Sequence, residues 1–329
     1  MKNAILLYII FSLSILTCKA LPVDSTAEKI LLYQRDNGGW PQYHGDPTDY
    51  SKTLSPEFTL ILINDKKKND ATIDDGSTTF EIEYLLKKSE ALHQRKYLMA
   101  AEKGINYLME SQNAAGGFPQ KFPDTSGYHK HITYNDEAMI SVLWIIKHIA
   151  EMDKPFDQVS NEIKSKASIS LQKGIDCILK TQYVQHGILT VWCAQHDVTT
   201  LAPASARKFE PASLSGKESV GIVRFLMSIK NPGKEIIASI QSAKEWFRKV
   251  EIKDKSIEII KDQSLPKGRD IHMIEKPGSI IWARFYDLDT NEPVYTGRDG
   301  IKRKALADIE YERRNGYAYL GTWPKKILD

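Results

Sequence analysis

Apolar side chains recur at helical spacing along most of this 329-residue chain. They return every three or four positions, so each run forms a stripe along one face of a helix. The clearest runs are Tyr97, Ala101, Ile105 and Leu108; Met139, Val142, Leu143, Ile146 and Ile149; and Ile236, Ile240, Ala243, Phe247 and Val250. Shorter patterns predict further helices near residues 26–35, 55–66, 78–93, 165–181 and 217–228. The pattern therefore predicts a mainly α protein.

A helix end and the loop that follows it are repeated along the chain. The segment LLYQRDNGGWPQY at 31–43 resembles LMESQNAAGGFPQKF at 108–122, and LKTQYVQHGILTVW at 179–192 is a weaker third copy. Each copy ends a helix with glutamine, crosses glycine and then reaches an aromatic residue. Such a repeat predicts an (α/α) toroid of helical hairpins with its loops at one end. The alternative is a chance similarity among helix ends that are rich in Gly and Pro.

The pattern changes from residue 271 onward. The stretch GSIIWARFYDLDTNEPVYTGRDG alternates between apolar and polar residues and turns at Asp-Leu-Asp-Thr-Asn. This predicts a short β-hairpin or an extended arm in the C-terminal portion. Because no segment has the composition of a linker, residues 21–329 are predicted to form a single domain.

The first twenty residues have the pattern of a secretory signal peptide. They combine a basic start at Lys2, an apolar stretch from Ala4 to Leu16 and a small residue at Ala20. The apolar stretch is short for a membrane span. We therefore expect a secreted or periplasmic protein without a stable membrane span. Two alternatives are a lipid anchor at Cys18 and a first buried helix.

Composition and charge narrow the choice of partners only slightly. Hydrophobic residues make up 42% of the chain, which is enough for a globular core, and the formal net charge is +3. This charge indicates no nucleic-acid partner, and we expect a monomer. After the leader the cysteines are Cys177 and Cys193, too few for a disulfide scaffold, and they either pair or stay free. The histidines show no zinc-ligand spacing.

Two acidic clusters precede predicted helices. They are ATIDDGSTT at 71–79 and HITYNDEAM at 131–139. Acids in these places commonly cap a helix, but only one of Asp74 and Asp75 can occupy the cap. Asp136 and Glu137 are likewise two adjacent acids, of which only one can cap a helix. Carboxylates beyond the needs of capping, all at one end of a toroid, could bind a hard cation such as Ca²⁺.

Several arginines lie in polar, turn-rich segments. They are Arg207, Arg284, Arg298, Arg313 and Arg314. A guanidinium can bind a carboxylate through two hydrogen bonds, so these residues suit an acidic substrate, although pairing with the chain's own acids is the simpler interpretation for any one of them. In the repeat loops, the aromatic residues Trp192, Trp40 and Phe118 are either sugar-stacking or buried. His196 is a possible base or a structural histidine.

The ordered motifs resemble those of the family 10 polysaccharide lyases, the pectate lyases. The matching segments are GGWPQY, TIDDGSTT, YLMESQNAAGGFPQKFP, YHKHITYNDEAM, WCAQHDVTTLAPASARKFEPASLSGKES, WARFYDLDT, GRDG and ERRNGYAYLG. They extend over most of residues 30–324. The resemblance implies an (α/α) toroid and a calcium-dependent β-elimination that cleaves α-1,4-linked polygalacturonate to 4,5-unsaturated products.

The resemblance also implies roles for single residues. Arg298 in GRDG matches the family's proposed base, and Arg207, Arg284 and Arg313 match arginines that bind uronate carboxylates. Asp74 and Asp136 resemble active-centre acids, which we interpret as Ca²⁺ ligands. We assign Asp75 and Trp192 to substrate binding. This chain departs from the family pattern at Asp75, where Asn is common, and at Tyr319-Leu320, where a Trp-Tyr pair is expected.

Three other functions remain open on the sequence alone. The acids Asp74, Asp136 and Asp197 could serve a glycoside hydrolase on the same scaffold, which would need no calcium. A secreted pectin-binding protein without catalysis is the non-enzyme alternative. The Gln-Gly-aromatic repeats are also similar to those of terpenoid cyclases, but Thr72 interrupts the acidic motif that such enzymes need.

Overall fold

The computed structural model describes residues 22–43, 45–124 and 126–328. The predicted leader at 1–20, with Cys18, lies outside these residues. Within the described ranges, no helix is both long and apolar enough to cross a membrane. Cys177 and Cys193 are free, buried thiols in the described part of the chain.

The α-helices confirm the predicted helical segments. In chain order the described helices are α1 Ser25–Tyr33, α2 Pro56–Asn64, α3 Thr79–Leu92, α4 Arg95–Ser111, α5 Ala138–Ala150, α6 Asn161–Thr181, α7 Glu218–Met227, α8 Lys234–Lys249, α9 Tyr311–Gly316 and α10 Lys325–Leu328. The strands are β1 Ile132–Thr133, β2 Val184–Gln185, β3 Ile188–Leu189, β4 Gln195–His196, β5 Leu214–Ser215, β6 Ile252–Lys261, β7 Arg269–Ala283, β8 Phe285–Tyr286, β9 Tyr295–Thr296, β10 Lys302–Arg303 and β11 Leu320–Gly321.

The helices pack as consecutive hairpins in two layers. Short connections make neighbours of α3 and α4, of α5 and α6, and of α7 and α8. In one layer α3, α5 and α7 are successive neighbours, and in the other α4, α6 and α8 are. Long connections, the first of which contains α2, lead from the ends of α1, α4 and α6 to the starts of α3, α5 and α7. The loops of these connections therefore gather at one end. The predicted mainly α toroid is confirmed.

A single apolar cluster fills the space between the layers. It runs from Ala27 in α1 to Ile327 in α10 and includes the stripes predicted for α4, α5 and α8. Val142, Leu143 and Ile146 in α5, for example, are completely buried. Burial on this scale is the main stabilising term in folding.

The repeated glutamines have one structural role in all three copies. In each copy the side-chain amide at the end of a helix donates to a carbonyl of the following loop and to a carbonyl of the next helix in the same layer. The bonds, all of 2.8 to 3.0 Å, join Gln34 to Gly38 and Ala100, Gln112 to Gly116 and Ser170, and Gln182 to Thr190 and Ser239. The internal repeat is therefore structural and does not arise by chance.

Glycine is required in the first two copies of this loop. Gly38 and Gly116 have φ angles of +102° and +90°, which favour glycine. A Cβ atom at these positions would lie 2.3 Å from the carbonyl oxygen of Lys103 and 2.1 Å from that of Lys173. Only glycine allows the loop backbone to approach the neighbouring helix this closely.

A fourth copy lies in the C-terminal portion, where the sequence did not indicate one. The indole N–H of Trp40, Trp192 and Trp282 donates in each case to a carbonyl near the end of the preceding helix, at 2.8 Å, the acceptors being Ile30, Ile178 and Phe247. Glu251 occupies the place of glutamine in this copy. The hairpin of β6 and β7 lies between Glu251 and Trp282, so the repeat is not recognisable in the sequence.

The predicted chain reversal at residues 287–291 is present, and a longer hairpin that the sequence did not indicate precedes it. Strand β7 pairs antiparallel with β6, which precedes it, and residues 262–268 form the turn. The segment that begins at Asp287 forms a compact loop, because Asp287 Oδ1 accepts hydrogen bonds from the backbone of Asp289 and Thr290. Asp197 makes equivalent bonds to Thr199 and Thr200. The turn signal in the sequence thus marks a repeated loop that reverses the chain, with Tyr286 bridged antiparallel to Pro293.

Glu81 is a completely buried carboxyl group in the first turn of α3. Its Oε1 accepts a 2.7 Å hydrogen bond from the Tyr50 hydroxyl. Burial raises the pKa of Glu81 from 4.5 to about 7. Since the unfolded chain retains the lower pKa, the folded state loses stability as the pH rises through this interval, and the loss is complete above the folded pKa.

We expect Glu81→Gln to increase the free energy of unfolding by up to about 3 kcal/mol near pH 8 and to change it little near pH 4. The amide keeps an oxygen for Tyr50 but cannot ionise. Denaturant unfolding at both pH values measures the difference. An equal effect at the two pH values would contradict the assigned pKa.

Candidate active site

Two acids at the loop-bearing end have the same unusual backbone conformation. Single turns of 3-10 helix, Asp74–Gly76 and Asn135–Glu137, precede α3 and α5. Within them Asp75 and Asp136 have φ angles of +47° and +49°, with ψ of 34° in both. Such left-handed conformations are costly outside glycine and concentrate at functional sites. They direct the two carboxylates away from simple helix capping.

Backbone hydrogen bonds connect successive copies of the repeat at this end. The segment before α3, α5 or α7 donates one N–H to the carbonyl of the residue two places after the loop aromatic of the next copy. These bonds are Ile73 to Gln120 at 3.1 Å, Tyr134 to Ala194 at 2.8 Å and Gly216 to Arg284 at 3.0 Å. The side chains of Gln120 and Arg284 consequently lie over the acids of earlier copies. We call this loop-bearing end the rim.

Asp74 is a largely buried acid with one unpaired oxygen. Its Oδ2 accepts a 2.6 Å hydrogen bond from Nε2 of Gln120, whose Oε1 lies 2.8 Å from Nδ1 of His129. Its buried Oδ1 has no hydrogen-bond partner among the residues that the structure describes. Burial, and then the charges of Asp75 and Asp136, raise the pKa of Asp74 to about 6. A cation at Oδ1 would relieve this destabilisation of the charged form.

Asp136 has the opposite electrostatic environment. Its Oδ1 accepts hydrogen bonds from Lys217 Nζ at 2.7 Å and from Arg284 Nη2 at 3.1 Å, and its Oδ2 accepts one from Asn135 at 2.6 Å. Burial by itself would raise the pKa of Asp136, but the charges of Arg284 and Lys217 outweigh it and hold the pKa below its usual value. Arg284 also pairs with the buried carboxylate of Glu218. Asp136 is therefore an anion held between two cations.

The predicted arginines gather beside these acids. Arg207 forms two hydrogen bonds to Glu210, of 2.8 and 2.6 Å, and its charge acts on Asp74. Arg298 forms two to Glu312, of 3.0 and 2.9 Å. Arg207, Arg298 and Arg313 all lie within 5.0 Å of the centroid of the Phe209 ring. The structure thus brings Arg207, Arg298 and Arg313 together at one place on the rim.

Three aromatic residues of the repeat loops are not accessible to a ligand. Trp40, Phe118 and Trp192 have no exposed surface, and the indole N–H of Trp192 is occupied by the Ile178 carbonyl. Our interpretation of Trp192 as a substrate-binding residue is therefore wrong. The ring lies in the core, where its N–H satisfies a carbonyl near the end of α6, so it cannot stack on a sugar.

His196 and Asp197 also have structural roles. Nδ1 of His196 lies 2.9 Å from the Leu201 carbonyl, and its Nε2 accepts a hydrogen bond from the Cys193 N–H. Burial lowers the pKa of His196 to about 4, so the ring stays neutral. Asp197 is half-buried and accepts hydrogen bonds from the backbone of its own turn. Neither residue is placed to act as a base.

Sequence reasoning missed several residues of the site. They are Lys217 and Glu218 at the start of α7, Gln120, Glu210, Phe209 and Tyr317. An alignment of the four copies would have found Gln120 and Arg284 at equivalent positions, two residues after Phe118 and Trp282. Nothing comparable in the sequence indicates Phe209 or Tyr317, which lie together only because the C-terminal segment folds back over the rim.

The acids do not form a complete metal cage. Across the described residues, no group of three or more His, Cys, Asp or Glu side chains lies close enough to hold a metal ion. Oxygen ligands are nevertheless present at Asp74 and Asp75. Burial raises the pKa of both groups, and so do neighbouring carboxylates, Asp75 and Asp136 for Asp74 and Asp136 for Asp75. These carboxylates suit a hard cation that takes its remaining ligands from substrate or water.

Comparison with known proteins shows that the chain is a polysaccharide lyase. The family model for pectic acid lyase matches residues 34–328, and the chain belongs to that family. A family 10 polysaccharide lyase from Cellvibrio cellulosa is similar, with a TM-score of 0.80 and 33% sequence identity. An aspartate-to-alanine mutant of a family 10 polysaccharide lyase from the same organism, in complex with trigalacturonic acid, gives a TM-score of 0.81 and 33% identity.

Both alignments cover 92% of this chain and 90% of the other chain. No match is found among the curated protein sequences. The comparisons confirm the predicted family and the prediction of a pectate lyase. They also decide against the glycoside hydrolase and the terpenoid cyclase.

We expect Trp192→Phe to lower the free energy of unfolding by about 1–3 kcal/mol, because the Ile178 carbonyl loses its buried donor. The KM for polygalacturonate should not change. Thermal unfolding and initial rates measure the two effects. A raised KM at unaltered stability would restore Trp192 to the substrate site.

Proposed function

We propose that this protein is a secreted, calcium-dependent pectate lyase that cleaves α-1,4-linked polygalacturonate by β-elimination. The observation that carries the proposal is the juxtaposition, on one rim, of an acid with a free oxygen and a cluster of arginines. Asp74 and Arg207 are close enough for their charges to interact. The related lyase in complex with trigalacturonic acid supports an oligogalacturonate as the ligand. We expect the protein to act as a monomer.

The reaction needs positive charge next to the C6 carboxylate. A base removes the proton from C5, the C5–H electrons form the C4=C5 double bond, and the C4–O bond breaks. The leaving oxygen takes a proton from solvent. Because the intermediate carries a second negative charge on an already anionic uronate, fixed cations stabilise it strongly. Arg207, Arg284 and Arg313 would supply them by binding uronate carboxylates.

The rim residues fit a calcium ion. Asp74 and Asp75 would hold it, and Asp136 would join them only if Lys217 moved away from its carboxylate. Uronate oxygens would complete the six to eight ligands that the ion takes. When bound, Ca²⁺ neutralises the uronate carboxylate and makes the C5 proton more acidic. Asp75 would then bind substrate through the ion and not by direct contact.

Two arginines are candidates for the role of base. Arg298 is the residue that the family resemblance implies, and its side chain is half-exposed beside Glu312. Arg207 is the arginine whose charge acts on Asp74 and lowers its pKa. Pairing with glutamate raises the pKa of both guanidinium groups. We therefore propose that a water molecule held by the arginine takes the C5 proton while it gives one of its own protons to the paired glutamate, Glu312 in the case of Arg298.

We expect the mature protein to release unsaturated product from polygalacturonate, with all activity lost in a chelator and restored by Ca²⁺. Ultraviolet absorbance of the double bond measures the product. Reducing ends without that absorbance would indicate hydrolysis. Binding without any product would indicate a pectin-binding protein.

We expect Asp74→Asn to weaken Ca²⁺ binding in the presence of trigalacturonate by about tenfold or more, because one anionic ligand is removed. Isothermal titration calorimetry measures this, and placing both proteins in the Arg298→Ala background prevents turnover during the titration. Asp176→Asn, on the outer helix α6, is the matched control and should bind Ca²⁺ normally. Unchanged binding in Asp74→Asn would exclude Asp74 as a ligand.

We expect Arg298→Ala to lower kcat by about 10³-fold or more while trigalacturonate binding is largely retained. Arg248→Ala, an exposed arginine on α8, should behave like the wild type. If Arg298→Ala retains wild-type turnover and Arg207→Ala does not, the role of base belongs to Arg207.

A further inference from the structure

Two aromatic rings lie at the centre of the arginine cluster. Phe209 is buried, and Tyr317 is half-buried beside it. Between them they contact four guanidinium groups. The distances from guanidinium carbon to ring centroid are 5.0 Å for Arg207, 4.7 Å for Arg298 and 3.9 Å for Arg313 at Phe209, and 4.4 Å for Arg284 and 4.1 Å for Arg313 at Tyr317.

The cluster presents an electrostatic problem in the absence of substrate. Guanidinium groups that contact the same ring carry like charges and repel one another, and the repulsion is stronger where water is excluded. Glutamates compensate three of the arginines, since Glu210, Glu312 and Glu218 pair with Arg207, Arg298 and Arg284. No acid pairs with Arg313 in the described part of the chain, although its residue is only 4% exposed.

Aromatic faces are the closest source of compensation for Arg313, whose Nε donates to the Tyr319 hydroxyl at 3.4 Å and whose charge also acts on Glu312. The face of an aromatic ring carries partial negative charge and attracts a guanidinium within about 6 Å of its centroid, most strongly at desolvated sites. Arg313 lies over Phe209, Tyr317 and, at 5.7 Å, Tyr319. Its Nη2 still has no hydrogen-bond partner among the described residues. The rings thus stabilise the charge while leaving a donor free.

We propose that Phe209 and Tyr317 are positioning residues of the substrate site. Their ring faces hold Arg207, Arg284, Arg298 and Arg313 in place before substrate arrives, which lowers the cost of assembling these cations around an acidic sugar. This inference rests on the proposed function. Glutamate partners alone would neutralise the arginines and compete with uronate, whereas a ring compensates a guanidinium without occupying its donors.

Two substitutions at Tyr317 can distinguish the effect of its ring from the effect of its hydroxyl. Its hydroxyl donates to Oε1 of Glu210 at 3.1 Å, and the same oxygen accepts a hydrogen bond from Arg207. Tyr317→Phe removes this bond and keeps the ring. Tyr317→Leu removes both. If the ring positions the arginines, the second substitution will weaken substrate binding clearly more than the first.

The test is trigalacturonate binding by the full mature chain, measured by calorimetry in a chelator, together with KM and kcat on polygalacturonate with Ca²⁺. We expect Phe209→Leu to raise the dissociation constant by about 3- to 10-fold and to raise KM more than it lowers kcat. Phe156→Leu, a buried ring remote from the arginines, is the control and should lower the melting temperature without changing binding.

A fluorinated series at Phe209 separates the ring's charge distribution from its shape. Mono-, di- and trifluorophenylalanine at this position weaken the negative face stepwise while preserving packing. We expect the dissociation constant for trigalacturonate to rise with each fluorine at an unchanged melting temperature. The same trend at Phe156 should be absent.

Equal binding across the fluorinated series, or equal binding by Tyr317→Phe and Tyr317→Leu, would overturn the proposal. The binding measurement does not depend on turnover. Ring-dependent binding by a wild-type protein that releases no unsaturated product would therefore refute the proposed function and still support the role of the rings.

Discussion

The end of a helix leaves carbonyl groups without partners, and the whole rim depends on how this protein satisfies them. Gln34, Gln112 and Gln182 tie each helix end to its loop and to the next helix in the layer. Indole N–H groups of Trp40, Trp192 and Trp282 close the same ends from inside the core. Long loops held at both ends can carry charged groups at defined positions, which loops without such anchors cannot do.

Charge compensation at the rim follows from this anchoring. Asp74 and Asp136 lie one place apart when two copies of the repeat are aligned, because the counterpart of Asp136 is Asp75. Burial and neighbouring acids raise the pKa of Asp74, whereas Arg284 and Lys217 hold that of Asp136 below its usual value. The difference arises because the next copy offers Gln120 to one acid, and the fourth copy offers Arg284 to the other. An acid with a free oxygen and an acid held between cations are suited to different tasks in binding a polyanion.

Sequence reasoning located the helices and most of the charged residues of the site, and it failed where partners are distant in the chain. Lys217 contacts Asp136 across 81 positions, and its own neighbourhood contains nothing that distinguishes it from a surface lysine. Phe209 and Tyr317 also contact arginines that are distant in the chain, and their local sequence does not indicate this. Trp192 was misassigned because an aromatic residue in a loop has the same local pattern whether it faces solvent or core.

By itself the sequence determined the helical pattern, the threefold echo of glutamine, glycine and aromatic residue, and the family motifs, because these depend on residues near one another in the chain. Only the tertiary structure decided which aromatic rings are buried, which acids have free oxygens and which arginines share a ring. Those properties depend on burial and on charge–charge distance, and both are set by contacts between segments that the sequence leaves far apart.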